Sequence, residues 1–172
     1  MRIPPHSRVT LLAATLVAAF GIGLPMIGGP VPRLIYNGSA SAPLGFYRLV
    51  PDTPITRGDL VLARLPAPAA RLAAERGYLP RSVPVVKRVA ALADDNVCAE
   101  SGNVIINGRI AARVLPVDGA GRPLPAWQGC RTLDSDEFFL LMADIPASFD
   151  GRYFGPVSAM AIIGRLVPLW TW

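Results

Sequence analysis

The 172-residue sequence predicts a mainly β domain, residues 31–172, behind an N-terminal tip and apolar segment, residues 1–30, of membrane-spanning length. Three observations lead there. No charge falls between Arg8 and Arg33. The rest of the chain is a succession of short alternating apolar and polar runs, in a sequence with 16 glycines and 18 prolines, which is how antiparallel strands joined by turns are written. Beyond the apolar segment, only PAPAARLAAERGYLP (Pro66–Pro80) has the make-up of a helix, with good helix formers between prolines and Gly77 as its stop.

Val9–Ile27 (VTLLAATLVAAFGIGLPMI) is long enough for a bilayer core of about 30 Å, and membrane helices carry Gly and Pro more readily than soluble ones. Arg2 and Arg8 before it, against Arg33 after it, favour a cytoplasmic N-terminus and a translocated domain. The competing reading is a cleaved signal peptide ending at Ala40-Ser41-Ala42. That site lies beyond Pro30, Pro32 and Arg33, too far from the apolar run for such a cleavage.

Cys98 and Cys130 both fall in the domain expected to be exported, where an oxidising compartment would let them pair. With the lone His6 they cannot furnish a zinc site unless carboxylates join them, so no metal and no cofactor are expected. The net charge of +5 does not point to nucleic acid, because the arginines are scattered singly and form no stripe.

Seventeen basic residues include a single lysine, Lys87. Arginine stays charged at any working pH, whereas a buried lysine can lose its proton. In SVPVVKRVAAL (Ser82–Leu92) period-2 alternation puts Val83, Val85, Lys87 and Val89 on one strand face and Arg88 on the other. The lysine then either snorkels from a strand edge to water or sits in an apolar setting with a lowered pKa. A neutral lysine can activate a serine. YNGSASAPLGFY (Tyr36–Tyr47) offers two, Ser39 and Ser41, while His6 lies before the apolar segment and cannot complete a Ser-His-Asp triad.

The other segments read as scaffold. Asp59 in ITRGDLVLARL shapes a turn opening a strand. NVIINGRI (Asn103–Ile110) is a hairpin about Asn107-Gly108, and DGAGR (Asp118–Arg122) is another turn leading through an irregular loop to Cys130. Asp134–Glu137 is an acidic loop entering the buried strand FFLLM. Asp150 and Arg152 share a face and can pair if their segment is extended, Asp150 then being either a structural brace or a contributor to catalysis. The final GRLVPLWTW is either a closing strand of the core or carries Trp170 and Trp172 to a membrane interface.

Four boxes occur in order after the apolar run: SASAP (Ser39–Pro43), RGDLVLARL (Arg57–Leu65), VVKRVAAL (Val85–Leu92) and SFDGRYFGPV (Ser148–Val157). In this the sequence resembles the type I signal peptidases, and within them the TraF-type peptidases of conjugative transfer systems. The closer likeness rests on YNGSASAPLGFY, the helical insert, GRPLPAWQGCRTL and SFDGRYFGPV. The resemblance implies Ser41 as nucleophile and Lys87 as general base. It further implies Ser39 with the Ser41 N–H as oxyanion donors, Ser148 as the residue orienting the amine, and Asp150 with Arg152 as a supporting pair.

Ala42 stands where general signal peptidases carry methionine, Pro43 comes one residue early, and MADIPAS replaces their Gly-Asp-Asn run, which favours the conjugative branch. The likeness also implies a β-ribbon, coiled-barrel fold and a catalytic face against the bacterial inner membrane on its periplasmic side. The implied substrate is a prepilin, cut and in the best-known members joined head to tail. Two alternatives remain: a general signal peptidase acting on many preproteins, and a non-catalytic pilus assembly factor. A self-cleaving Ser-Lys repressor would need a DNA-binding helix-turn-helix, and the N-terminus is apolar throughout. Nothing in the sequence fixes an oligomeric state.

Overall fold

The computed structural model describes residues 10–20 and 33–172. The chain divides into two units, Met1–Pro32 and Arg33–Trp172. In the first, residues 10–20 are helical and expose Leu11, Leu12, Leu16, Val17 and Phe20. Among the described residues no helix is long and apolar enough to cross a membrane. The expected anchor, Val9–Ile27, lies outside the described residues at both of its ends.

The second unit is mainly β. Its elements are β1 (Leu34–Asn37), β2 (Gly45–Val50), β3 (Leu60–Ala63), α1 (Ala67–Glu75), β4 (Val85–Ala91), β5 (Asn96–Glu100), β6 (Asn103–Ile106) and β7 (Arg109–Arg113). After these come β8 (Gly129–Thr132), β9 (Glu137–Leu140), the short α2 (Gly151–Phe154), β10 (Val157–Ser158) and β11 (Ile162–Thr171). A seven-stranded sheet runs β1-β2-β11-β3-β4-β9-β10, and a four-stranded sheet runs β7-β6-β5-β8. Every strand pair in both sheets is antiparallel.

The larger sheet is covered on both faces. Leu60, Leu62 and Val86 pack with Tyr47, Leu49, Met142 and Leu166 on one side. Val61, Ala63 and Val89 pack with Leu140 and Val157 on the other. A strand buried on both faces reads as a continuous apolar run, and β3 is the unbroken LVLA. The smaller sheet turns Val97, Val104, Ile106 and Ala112 toward Ala91, Phe139 and Leu141, so the two sheets share a third cluster.

The turn chemistry follows the sequence. Asn107 and Gly108 both take positive φ, 50° and 77°, the primed-turn geometry that matches the twist of β6 and β7. Asp59 accepts from the Thr56 N–H and hydroxyl at 2.8 and 3.0 Å, closing the turn before β3. Helix α1 buries Ala69 and Ala73, one turn apart, and ends before Gly77. The strand expected from Val83 begins instead at Val85: Pro84 has no N–H to give to a ladder, and Val83 is 41% exposed in the preceding loop.

Candidate active site

The serine loop hangs between β1 and β2 and is held from inside by Asn37, which is 8% exposed. Its Oδ1 accepts the Ser39 N–H at 3.2 Å, while Nδ2 donates to the carbonyls of Ser39, Ala42 and Pro43 at 3.0, 3.2 and 2.9 Å. Tyr47 donates its hydroxyl to the same Pro43 carbonyl at 2.6 Å. Thus the backbone is gripped on both sides of Ser41. The Ser41 N–H points at Ser39 Oγ, 3.3 Å away, and the Ser39 hydroxyl donates to Ser41 Oγ at 3.1 Å.

Lys87 enters from the middle of β4, opposite Val61 of β3, and is 1% exposed. Its Nζ is 3.1 Å from Ser41 Oγ, 2.9 Å from Ser148 Oγ and 3.4 Å from the Ser41 carbonyl. The Ser148 hydroxyl donates to that carbonyl at 3.3 Å. A neutral amine has two N–H groups and one lone pair. Spent on Ser148 Oγ and the Ser41 carbonyl, the two donors leave the lone pair facing the Ser41 hydroxyl. Burial pushes the Lys87 amine down to about 8; the Asp150 carboxylate draws it back up and the Arg152 guanidinium presses it down again.

Asp150 and Arg152 are 0% and 1% exposed, and the guanidinium meets the carboxylate with two bonds of 2.8 Å. Asp150 itself is extended, with φ −147° and ψ −159°, but the chain turns into α2 directly after it, so the two side chains do not meet as strand neighbours. Asp150 is the N-cap of α2 and accepts the Arg152 N–H at 3.2 Å, so the pair forms between the cap and the second residue of the helix. Gly151 follows because a Cβ there would come within 2.7 Å of the Leu140 carbonyl. The pair is also a brace. Asp150 accepts the Met142 N–H at 3.0 Å, and Arg152 Nη2 donates to the carbonyls of Ile145 and Ser148 at 2.8 and 3.2 Å, fixing the loop that carries Ser148.

Ser39, Ser41 and Lys87 open into a cleft of about 770 Å³ with largely aliphatic walls, among them Ile35, Leu62, Val85 and Ile145. One wall joins α1 and the turn at Asp118. That carboxylate takes Arg122 Nε at 2.7 Å, the N–H groups of Ala120 and Arg122 at 2.9 Å, and the Tyr78 hydroxyl. Arg76 closes the knot through the Pro123 carbonyl at 2.7 Å. The tyrosine hydroxyl beside it holds the Asp118 carboxyl well below the usual carboxylate range, the Arg122 and Ala120 donors adding to this. Tyr78 in turn touches Phe149, which stacks on Tyr153, so the wall reaches the residue next to Ser148.

The structure therefore brings together Ser39, Ser41, Lys87, Ser148, Asp150 and Arg152. Cys98 and Cys130 lie apart from them, bonded as a directly opposed pair between β5 and β8. Asp134 and Glu137 pair with Arg131 at 3.1 and 2.6 Å. Trp170 and Trp172 belong to the end of the chain at β11 but are exposed, and they continue the exposed rings of Tyr36 and Phe46. Sequence reasoning missed Asn37, Tyr78 and Asp118 as parts of the site. The Asn-Gly pair ahead of Ser39 was a signal for the first; for the other two the contacts span some 40 residues and left no local trace.

Over 173 residues the chain is 35% identical to a plasmid transfer protein TraF of Escherichia coli, covering 94% of this chain and 96% of that one. It is 33% identical over 167 residues to a probable conjugal transfer protein TraF of Sinorhizobium fredii, covering 89% and 84%. A crystal structure of a signal peptidase I from Enterococcus faecalis superposes with a TM-score of 0.42 at 22% identity, over 67% of this chain and 98% of that one. The family model described as signal peptidase, peptidase S26, matches residues 7–171. The chain belongs to that peptidase family.

Proposed function

We propose that the chain is a membrane-anchored serine endopeptidase of a conjugative transfer system, with Ser41 as nucleophile and Lys87 as general base. The observation that carries this reading is the Lys87 amine, nearly dry, 3.1 Å from Ser41 Oγ. The Ser41 proton passes to the Lys87 lone pair as Oγ forms a bond to the scissile carbonyl carbon. The ammonium then returns the proton to the departing nitrogen as the C–N bond breaks, leaving an acyl-enzyme. Water releases the product as an acid, or a substrate amine releases it as an amide.

Ser148 keeps the amine aimed, and the Asp150–Arg152 pair keeps Ser148 in place. Ser39 and the Ser41 N–H receive the oxyanion once the Ser39 hydroxyl turns from its bond with that N–H; such donors contribute about 3–4 kcal/mol each. The substrate in this reading is a prepilin or related exported protein, extended through the aliphatic cleft. The relatives' naming for plasmid and conjugal transfer supports the process. The exposed rings of Tyr36, Phe46, Trp170 and Trp172 and the apolar N-terminal run support an enzyme working at the periplasmic face of the inner membrane.

Co-expression with a candidate pilin, read by mass spectrometry, tests this. Ser41→Ala and Lys87→Arg each lower trimming by about 10³-fold or more, since guanidinium stays protonated. Trimming retained in either variant overturns the assignment. A product lighter by one water than the linear trimmed form identifies ring closure. The second reading, a general signal peptidase, shares the Ser41–Lys87 geometry and is separated from the first by complementation of a strain depleted of that activity.

A further inference from the structure

We infer that Asn37 is the positioning residue of the oxyanion site: its carboxamide locks the backbone before and after Ser41, setting the separation between the Ser39 hydroxyl and the Ser41 N–H. This rests on Ser41 being the nucleophile. An ordinary Asn turn uses Oδ1 on the N–H two residues ahead, and the Ser39 N–H at 3.2 Å is that bond. It leaves Nδ2 unexplained. That nitrogen reaches past the nucleophile to the Ala42 and Pro43 carbonyls, and back to the carbonyl of Ser39, the residue whose N–H Oδ1 accepts.

Ser39 is thereby fixed at both its N–H and its C=O, and only its side chain is left to turn. The two donors named for the oxyanion belong to this one clamped segment, 3.3 Å apart as Ser41 N and Ser39 Oγ. Two N–H groups shared among three carbonyls, plus one acceptor, is a demand that a carboxamide meets. A carboxylate has no donor, a serine hydroxyl has one, and an aliphatic side chain has neither. The site is 8% exposed, so water does not stand in for the lost bonds.

The test uses the full chain and p-nitrophenyl acetate as acylating probe, with nitrophenolate release followed by stopped flow and Ser41 labelling located by peptide mass spectrometry. Asn37→Asp keeps an acceptor for the Ser39 N–H and removes the donors; Asn37→Ala removes both. The expected result is a burst amplitude near wild type with a rate constant about 10²-fold lower, the size of a lost oxyanion donor. In Asn37→Ala, which adds no charge, the rate keeps its wild-type midpoint in pH, because the base is untouched.

A reduced amplitude with an unchanged rate constant would make Asn37 a stability residue and overturn the inference. So would a displaced midpoint with an unchanged plateau in Asn37→Ala, which would place its action on Lys87. If Asn37→Ala does not fold, Asn37→Asp decides alone on burst amplitude and the plateau rate constant. Undiminished labelling of Ser41→Ala elsewhere in the chain at the wild-type rate would sink the nucleophile itself, a failure distinct from that of Asn37.

Discussion

The two sheets are held together in opposite ways. The seven-stranded sheet buries Lys87, Ser148, Asp150 and Arg152 among its apolar side chains, each at 1% exposure or less. The four-stranded sheet turns an apolar face inward, and the buried carboxylate at its root, Asp95, is answered by Arg57 and by Asn107 at 2.7 Å. It is fastened by the Cys98–Cys130 bond on its outside. Buried polar groups cost stability unless every one is paired, whereas a cross-link asks nothing of the interior. In the proposed reading the larger sheet carries the chemistry at an energetic cost, and the smaller one supports it.

The sharpest way to break the contrast is Arg152→Met. It leaves Asp150 charged and dry and frees the carbonyls of Ile145 and Ser148. Removing one partner of a buried pair costs about 3–5 kcal/mol, read as a lower midpoint in urea unfolding. Because Ser148 is released, acylation of Ser41 slows as well. Loss of stability with full activity per folded molecule would show that Ser148 needs no brace.

In the smaller sheet the matching experiment is Cys98→Ala with Cys130→Ala. A bridge spanning 32 residues contributes about 3–4 kcal/mol in the chain-entropy view. Unfolding shifts by that order, while the acylation rate per folded molecule stays at wild type. A rate that falls with the bridge would join the two sheets functionally and erase the division.

Lys87 itself gives the third test, through pH. Its folded value of about 8 lies below the ordinary 10.5, so between these values the unfolded chain binds more protons than the folded one. Stability then rises with pH across that window, by about 3 kcal/mol in all, and is lowest where the folded amine is charged. Burial pushes the Tyr47 and Tyr153 hydroxyls up, and they act in the opposite sense once the unfolded tyrosines ionise near pH 10. The clean interval is pH 8 to 10. Lys87→Met flattens the slope there and gains about 1–3 kcal/mol at pH 7, at the expense of all activity. A flat wild-type profile would mean that the amine is not held in a dry setting.

How much of this was legible follows from the range of the interactions. A mainly β architecture, the 66–80 insert and the Asn107-Gly108 hairpin rest on local periodicity and turn chemistry, and all three are present. The solitary lysine among sixteen arginines marked Lys87 because its chemistry differs from theirs. The conformation around Asp150 stayed open in the sequence: spacing alone cannot separate a strand pair from an N-cap reaching the second residue of its own helix. Val83 was assigned to a strand that Pro84 forbids. Asp118 is read only as a turn former and Asn37 is given no role, since what both do depends on groups brought close by the fold.

Asp118 offers the smallest and most discriminating change. Its carboxylate ties Arg122 and the Tyr78 hydroxyl into one cleft wall, yet it touches neither Ser41 nor Lys87. Asp118→Asn keeps the shape and the bonds from Ala120 and Arg122 N–H but loses the charge that holds the guanidinium. The wall loosens against α1, so a peptide substrate is gripped less well while the serine is activated as before. KM rises by about threefold to tenfold with kcat unchanged, the effect of one weakened charge-assisted bond. Because the carboxyl lies well below the usual range, the wild-type KM is flat down to mildly acid pH, and any acid limb belongs to kcat through Lys87. A fall in kcat with constant KM would instead carry the effect along Tyr78 and Phe149 to Ser148, making the insert part of the catalytic brace.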